Sequence, residues 1–246
     1  MKNYLFIITL LFIACSPSEK NSAVQKEWLG KKVDFQSIQP VVNTYHMLDK
    51  TGTKVGSMIF GTYFENGKLV SRDTSSFDDG SVYEEAEFVF DTGRFELEDV
   101  SIAMQINTTK LNVDFNATDK QVRGLYRITR DTINDYPVDS LYQYDVVRSE
   151  LYMLMQTLDY TAGDTIDMKV LIPTSMTVSD ASLHYLQDET VTTPAGTFDC
   201  TVVHLMTDGK MPQNRIWIAK EKPAKIVKFN VPASALSIEL VSSKSN

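Results

Sequence analysis

Cysteine is scarce in this chain: two among 246 residues, Cys15 and Cys200, too few for a disulfide framework. Histidine is scarce too. His46, His184 and His204 show neither an i, i+4 helical pair nor an HxH strand pair, so the sequence calls for no metal. Positive charge is in deficit, with 24 Lys and Arg against 32 Asp and Glu, a net charge of −8 and a pI near 4.9. Without a Lys/Arg cluster the chain lacks a nucleic-acid footprint, and its acidity opposes docking on anionic lipid head groups. There is no G-x-S-x-G elbow, no Ser-x-x-Lys and no glycine-rich phosphate loop. Asp78, Asp79, Glu84, Glu85 and Glu87 lack EF-hand spacing and read as a solvated hairpin. These absences point away from an enzyme and away from a cofactor.

Long apolar runs are missing as well, with one exception. Lys2 is followed by the eleven residues YLFIITLLFIA, Tyr4 to Ala14. A membrane-spanning helix needs about 20 such residues, whereas a secretory h-region needs fewer. Phe12-Ile13-Ala14-Cys15 resembles the lipobox of bacterial lipoproteins, with Phe12 where Leu is usual. That resemblance implies a signal peptide over 1–14, cleavage before Cys15, and acylation (palmitate among the chains) of its sulfur and new amino group. Several acyl chains, at about 0.8 kcal/mol per buried CH₂, anchor stably where one does not. The competing reading is a simple signal peptide with a fortuitous cysteine. Residues 15–29 then form a polar tether, and 30–246 a single domain. An exported, lipid-anchored protein belongs to the bacterial cell envelope, in the outer membrane facing the periplasm.

Beyond the tether the dominant period is two, broken by turns. Met58, Phe60 and Phe64 share a side; Glu65-Asn66-Gly67-Lys68 is an Asn-Gly hairpin signal, and Asp79-Gly80 and Thr92-Gly93 mark two more turns. Val100, Ile102, Met104 and Ile106 alternate with Ser101, Ala103 and Gln105, and Leu111, Val113 and Phe115 with Asn112, Asp114 and Asn116. Consecutive strands joined by tight turns make an antiparallel meander with one apolar face. One segment departs from this rhythm. From Ser140 to Asp164, Tyr144, Val147, Leu151, Leu154 and Leu158 recur at steps of three and four, with Ser140 and Gln143 as a capping box and Gly163 as a stop. This predicts the one principal helix. Strands resume over 165–172, 181–193, 197–206, 213–219, about 225–230 and 236–241. Pro194-Ala195-Gly196 predicts a three-residue hairpin loop with a glycine bulge.

LYMLMQTLDYTAGDTIDMKVLI, ETVTTPAGTFDCTVVHL, RIWIAKEKPAKIVKFN and LSIELVSS follow one another in an order that resembles a family of uncharacterised bacterial envelope proteins of unknown function. The resemblance covers roughly residues 140–242. The family looks related to the half-barrel fold of the lipoprotein carriers LolA and LolB. It implies a mainly β fold, a curved antiparallel sheet of about 11–13 strands with the helix on its concave face, and a cavity for acyl chains. No catalytic residue comes with it.

Phe198, Cys200, Val202, His204 and Met206 alternate onto one face, where Cys200 reads as a small buried hydrophobe and His204 as a core or cavity-wall residue. Met104, Met153, Met155, Met168 and Met176, with Phe60, Phe88, Phe90 and Phe115, add an apolar population suited either to an adaptable pocket or to a packed core. Two functions follow. In one, a lipid or other apolar ligand lies between sheet and helix against Leu151, Leu154, Leu158, His204, Met206 and Trp217. In the other, the core is full and the protein docks a partner protein through its edges or loops.

Overall fold

The computed structural model describes residues 26–29, 31–33, 37–93 and 95–245. Cys15 and the leader lie outside that range. A short ribbon of β1 (Lys26–Trp28) and β2 (Lys31–Val33) precedes one large sheet. That sheet opens with β3 (Val41–Leu48), β4 (Lys54–Glu65), β5 (Lys68–Phe77) and β6 (Val82–Asp91). It continues through β7 (Glu96–Ile106), β8 (Thr109–Thr118), β9 (Gln121–Thr129) and β10 (Ile133–Leu141). After β11 (Val146–Val147) and helix α1 (Arg148–Leu154) come β12 (Thr165–Ile172), β13 (Thr177–Thr193), β14 (Gly196–Thr207) and β15 (Asn214–Ala219). Finally, β16 (Ile226–Val231) and β17 (Leu236–Ser245) return to pair with β3.

The protein is therefore mainly β, with 15 strands in the large sheet rather than 11–13. The order runs from β10 through β3 at the middle, then β17 and back to β11, antiparallel everywhere except β11 on β12. Laid flat, fourteen strand spacings of about 4.8 Å would separate the two edges by roughly 65 Å. Yet only residues 142–145 join β10 to β11, and five peptide steps reach no more than about 17 Å. The sheet must curl back on itself. Tyr126 of β9 confirms it by donating its hydroxyl to the Thr174 carbonyl, in the β12–β13 turn, at 2.9 Å. β10 and β11 do not pair, so the curl stays open.

Local chemistry follows the pattern with instructive exceptions. Asn66 and Gly67 take φ of 51° and 76° inside a Glu65–Lys68 pair, as the Asn-Gly signal requires. At the Thr92-Gly93 turn the left-handed residue is instead Phe95, stacked on Phe90 at 5.5 Å. Thr193 pairs directly with Gly196, so the Pro194-Ala195 connection has two residues and no bulge. The bulge of that hairpin lies lower, between Tyr185 and Gln187.

The helix is shorter than its apolar spacing implies. Ser140 is in β10, where Pro137 is tolerated because an edge strand leaves half its N–H groups without partners. Val146 and Val147 pair with Val170 and Leu171, and only Arg148–Leu154 is α-helical, extended by a 3-10 turn over Met155–Thr157. Glu150 accepts the Val147 N–H at 3.1 Å, which is half a capping box; Val147 has no side-chain acceptor for the other half. Tyr144, Val147, Leu151, Leu154 and Leu158 are all buried, but as a loop, a strand, a helix and an extended segment in succession.

Candidate functional site

The inner face of the curled sheet is set by strand register. Phe60, Asp73, Ala86, Ile102 and Val113 lie in one row across β4 to β8, and Tyr45 and Met58 in a neighbouring one. Helix α1 lies against this face. Ser149 Oγ meets Ser71 Oγ at 3.2 Å, the Tyr152 ring packs edge-on to Phe229 at 5.5 Å, and Asn214 donates to the Tyr152 hydroxyl at 2.8 Å. Between them a cavity of about 230 Å³ remains. Met47, Met58, Phe60, Phe88, Ile226 and Phe229 supply its apolar walls, and Pro173 and Thr174 reach it from the β12–β13 turn.

What the helix turns toward this space is polar: Arg148, Ser149, Tyr152 and Gln156. Steps of one, three and four select one side of a helix, and Leu151 and Leu154 of α1 occupy the other. None of Leu151, Leu154, Leu158, His204, Met206 and Trp217 lines the cavity. Leu151, Leu154 and Leu158 are buried, and Leu154 borders a separate cleft with Phe95 and Tyr144. Trp217 is buried on the opposite face of the sheet. The tip of the β13–β14 hairpin reaches β17, where Ala195 N–H meets the Leu240 carbonyl at 3.2 Å, three junctions beyond β14. Both faces of β14 are buried, Cys200 and Val202 on one and Val203 and Leu205 on the other. His204 and Met206 continue the Cys200 face toward the end of the strand, where His204 is half-buried and Met206 is 41% exposed. Burial pushes the Cys200 thiol up to about 11.

Two carboxyls share the cavity with the helix residues. Asp73 of β5 pairs with Ala86, and Glu84 of β6 with Ser75, which places the two as diagonal neighbours on the inner face. Glu84 thus departs from the solvated hairpin expected of its acidic group, whereas Asp78, Asp79 and Glu85 are exposed. Burial, then the negative charge of Glu84, pushes the Asp73 carboxyl up to about 7, and Arg148 offsets part of this. Burial weakens the charge on Arg148, but Tyr152, Glu84 and Asp73 outweigh it and hold the guanidinium above its ordinary range. Sequence pattern alone does not reveal this cluster, because SRDTSS is polar at every position and Asp73, Glu84 and Arg148 lie far apart along the chain.

Elsewhere, register brings His184 directly opposite His204, a proximity that sequence spacing conceals. Burial first, then Arg215 and His184, hold His204 below the ordinary imidazole range. Among the described residues no group of three or more His, Cys, Asp or Glu is arranged to hold a metal ion.

The chain is similar in fold to a β-barrel-like protein of a domain of unknown function, DUF1849, from Brucella abortus, at a TM-score of 0.54 and 10% identity, covering 85% of this chain and 98% of that one. A candidate lipoprotein from Parabacteroides distasonis matches at 0.33 and 14%, over 85% and 96%. A candidate exported protein with a YmcC-like fold from Bacteroides fragilis matches at 0.35 and 12%, over 85% and 97%. No curated protein matches. Residues 101–239, more than half the chain, match the family described as Protein of unknown function, from β7 to the middle of β17. The chain belongs to this family, DUF3108.

Proposed function

We propose that the protein is a lipid-anchored component of the bacterial envelope, held in the outer membrane through Cys15 and facing the periplasm. In this reading it carries an apolar or amphipathic ligand, a lipid or other acyl compound, between sheet and helix, as the likeness to the half-barrel carriers LolA and LolB implies. No residue acts as a catalyst and no cofactor takes part. The supporting observation is the cavity itself, with Met58, Phe60, Phe88 and Phe229 among its sheet-side walls and a helix that turns Leu151 and Leu154 elsewhere. Binding would draw on burial of apolar surface at roughly 25 cal/mol per Å². Native mass spectrometry of protein purified from its own host tests this. A co-purifying lipid or acyl compound is the expected result; a clean apo mass with a stable protein partner would overturn it. That second outcome has a specific observation behind it: edge strand β10 exposes Ile133 (66%), Tyr136 (51%) and Leu141 (60%).

A further inference from the structure

Polar groups around the cavity divide into two sets. Those in the first already have partners. Tyr45 donates its hydroxyl to the Ile226 carbonyl at 3.0 Å, Ser149 meets Ser71, and Gln156 donates to the Tyr152 carbonyl at 2.7 Å. The second set is Asp73, Glu84 and Arg148. Among the described residues neither carboxylate accepts a hydrogen bond, and neither forms an ion pair with Arg148, although all three line one space and feel one another's charge. Arg148 has the Tyr152 hydroxyl beside it and five N–H donors to place. All three are half-buried and open to solvent, and a ligand that shuts water out has to supply the hydrogen bonds that water gives.

A ligand that completes this site has to answer both charges. A lone carboxylate at Arg148 would bring a third negative group beside Asp73 and Glu84. A lone amine would satisfy the carboxylates and leave the guanidinium unmet. We infer that the cavity binds a single-chain amphiphile whose head carries an anion and an ammonium side by side, the anion against Arg148 and the ammonium against Asp73 and Glu84. Its chain would lie among Met58, Phe60 and Phe88. The volume of about 230 Å³ falls below the 300–1,000 Å³ typical of larger ligands, which selects one short chain over a two-chain lipid. This rests on the apolar-ligand reading above and adds the head group to it.

Three probes of matched chain length test the head: 2-aminodecanoic acid, decanoic acid and decylamine, titrated calorimetrically into the full-length protein held in amphipol. The zwitterion should bind about tenfold more tightly than either single-charge probe, the difference one charge-assisted contact makes. Arg148→Gln should reduce it to the level of decylamine, and Asp73→Asn with Glu84→Gln to that of decanoic acid. The comparison on the unmodified protein stands even if a variant fails to fold. Equal binding of all three would overturn the head-group inference and leave the apolar-ligand reading in place. Binding of none would overturn both.

Discussion

Asp73 shows how one side chain couples site and stability. Its carboxyl is held at about 7 in the folded protein against 3.8 unfolded, chiefly by burial. Below about pH 4 it is protonated in both states and costs nothing. Between 4 and 7 the folded protein keeps a proton that the unfolded chain releases, so stability falls as pH rises. Above 7 the full cost remains, on the order of 2–4 kcal/mol for a shift of this size. Asp73→Asn should therefore raise stability at pH 8 by about that amount and leave it nearly unchanged at pH 4. Urea denaturation at the two values checks this, and an equal gain at both would remove ionisation as the cause. A cavity-lining polar group that weakens its own fold is best understood as serving a ligand. Nothing in the sequence marks it: Ser71, Asp73 and Ser75 are the inward positions of β5, and a strand polar on both faces carries no amphipathic signal. Asn66-Gly67 lies at the other extreme, because positive φ at both positions leaves few residue choices.

At the scale of elements, α1 separates packing from recognition. Leu151 is fully buried and faces away from the cavity, whereas Arg148, Ser149 and Tyr152 face it. Leu151→Ala should cost about 3 kcal/mol, the usual loss for a leucine removed from a close-packed core. It should leave binding of 2-aminodecanoic acid unchanged at temperatures where the variant stays folded. Thermal denaturation paired with calorimetry reads both; a parallel loss of affinity would mean that the leucine face shapes the site after all. The apolar spacing from Tyr144 to Leu158 was legible, and every one of those residues is buried. Its conformation was not. A strand, a short helix and a 3-10 turn in series bury the same positions as one long helix. The β-branched Val146-Val147 pair is claimed by β12 through a tertiary contact that no local window contains. β13 and β14 were readable as strands for the opposite reason, since their alternation is local, but the reach of their hairpin tip to β17 is not.

The whole molecule bears on the membrane attachment proposed above. Among the described residues no helix is long and apolar enough to cross one. Nor is the outer wall of the sheet suited to lipid. Arg72 bridges Glu65 and Glu87, each at 2.6 Å, and Arg127 meets Asp135 at 2.6 Å, all about 40% exposed. A wall facing hydrocarbon would carry an apolar band at such positions. These pairs add little stability, but they make the outer wall of the curled sheet charged. With a net charge of −8 the surface is also repelled by anionic head groups. On the reading proposed above, attachment rests on acyl chains at Cys15. Cys15→Ser, expressed in the native host, should move the protein from the membrane fraction to the soluble one and remove the acyl mass from its N-terminal peptide. The circular dichroism of the folded domain should not change, because no strand depends on the anchor. Should the variant stay membrane-bound through an alkaline carbonate wash, attachment would have to come from the domain itself, and the charged outer wall would need another explanation.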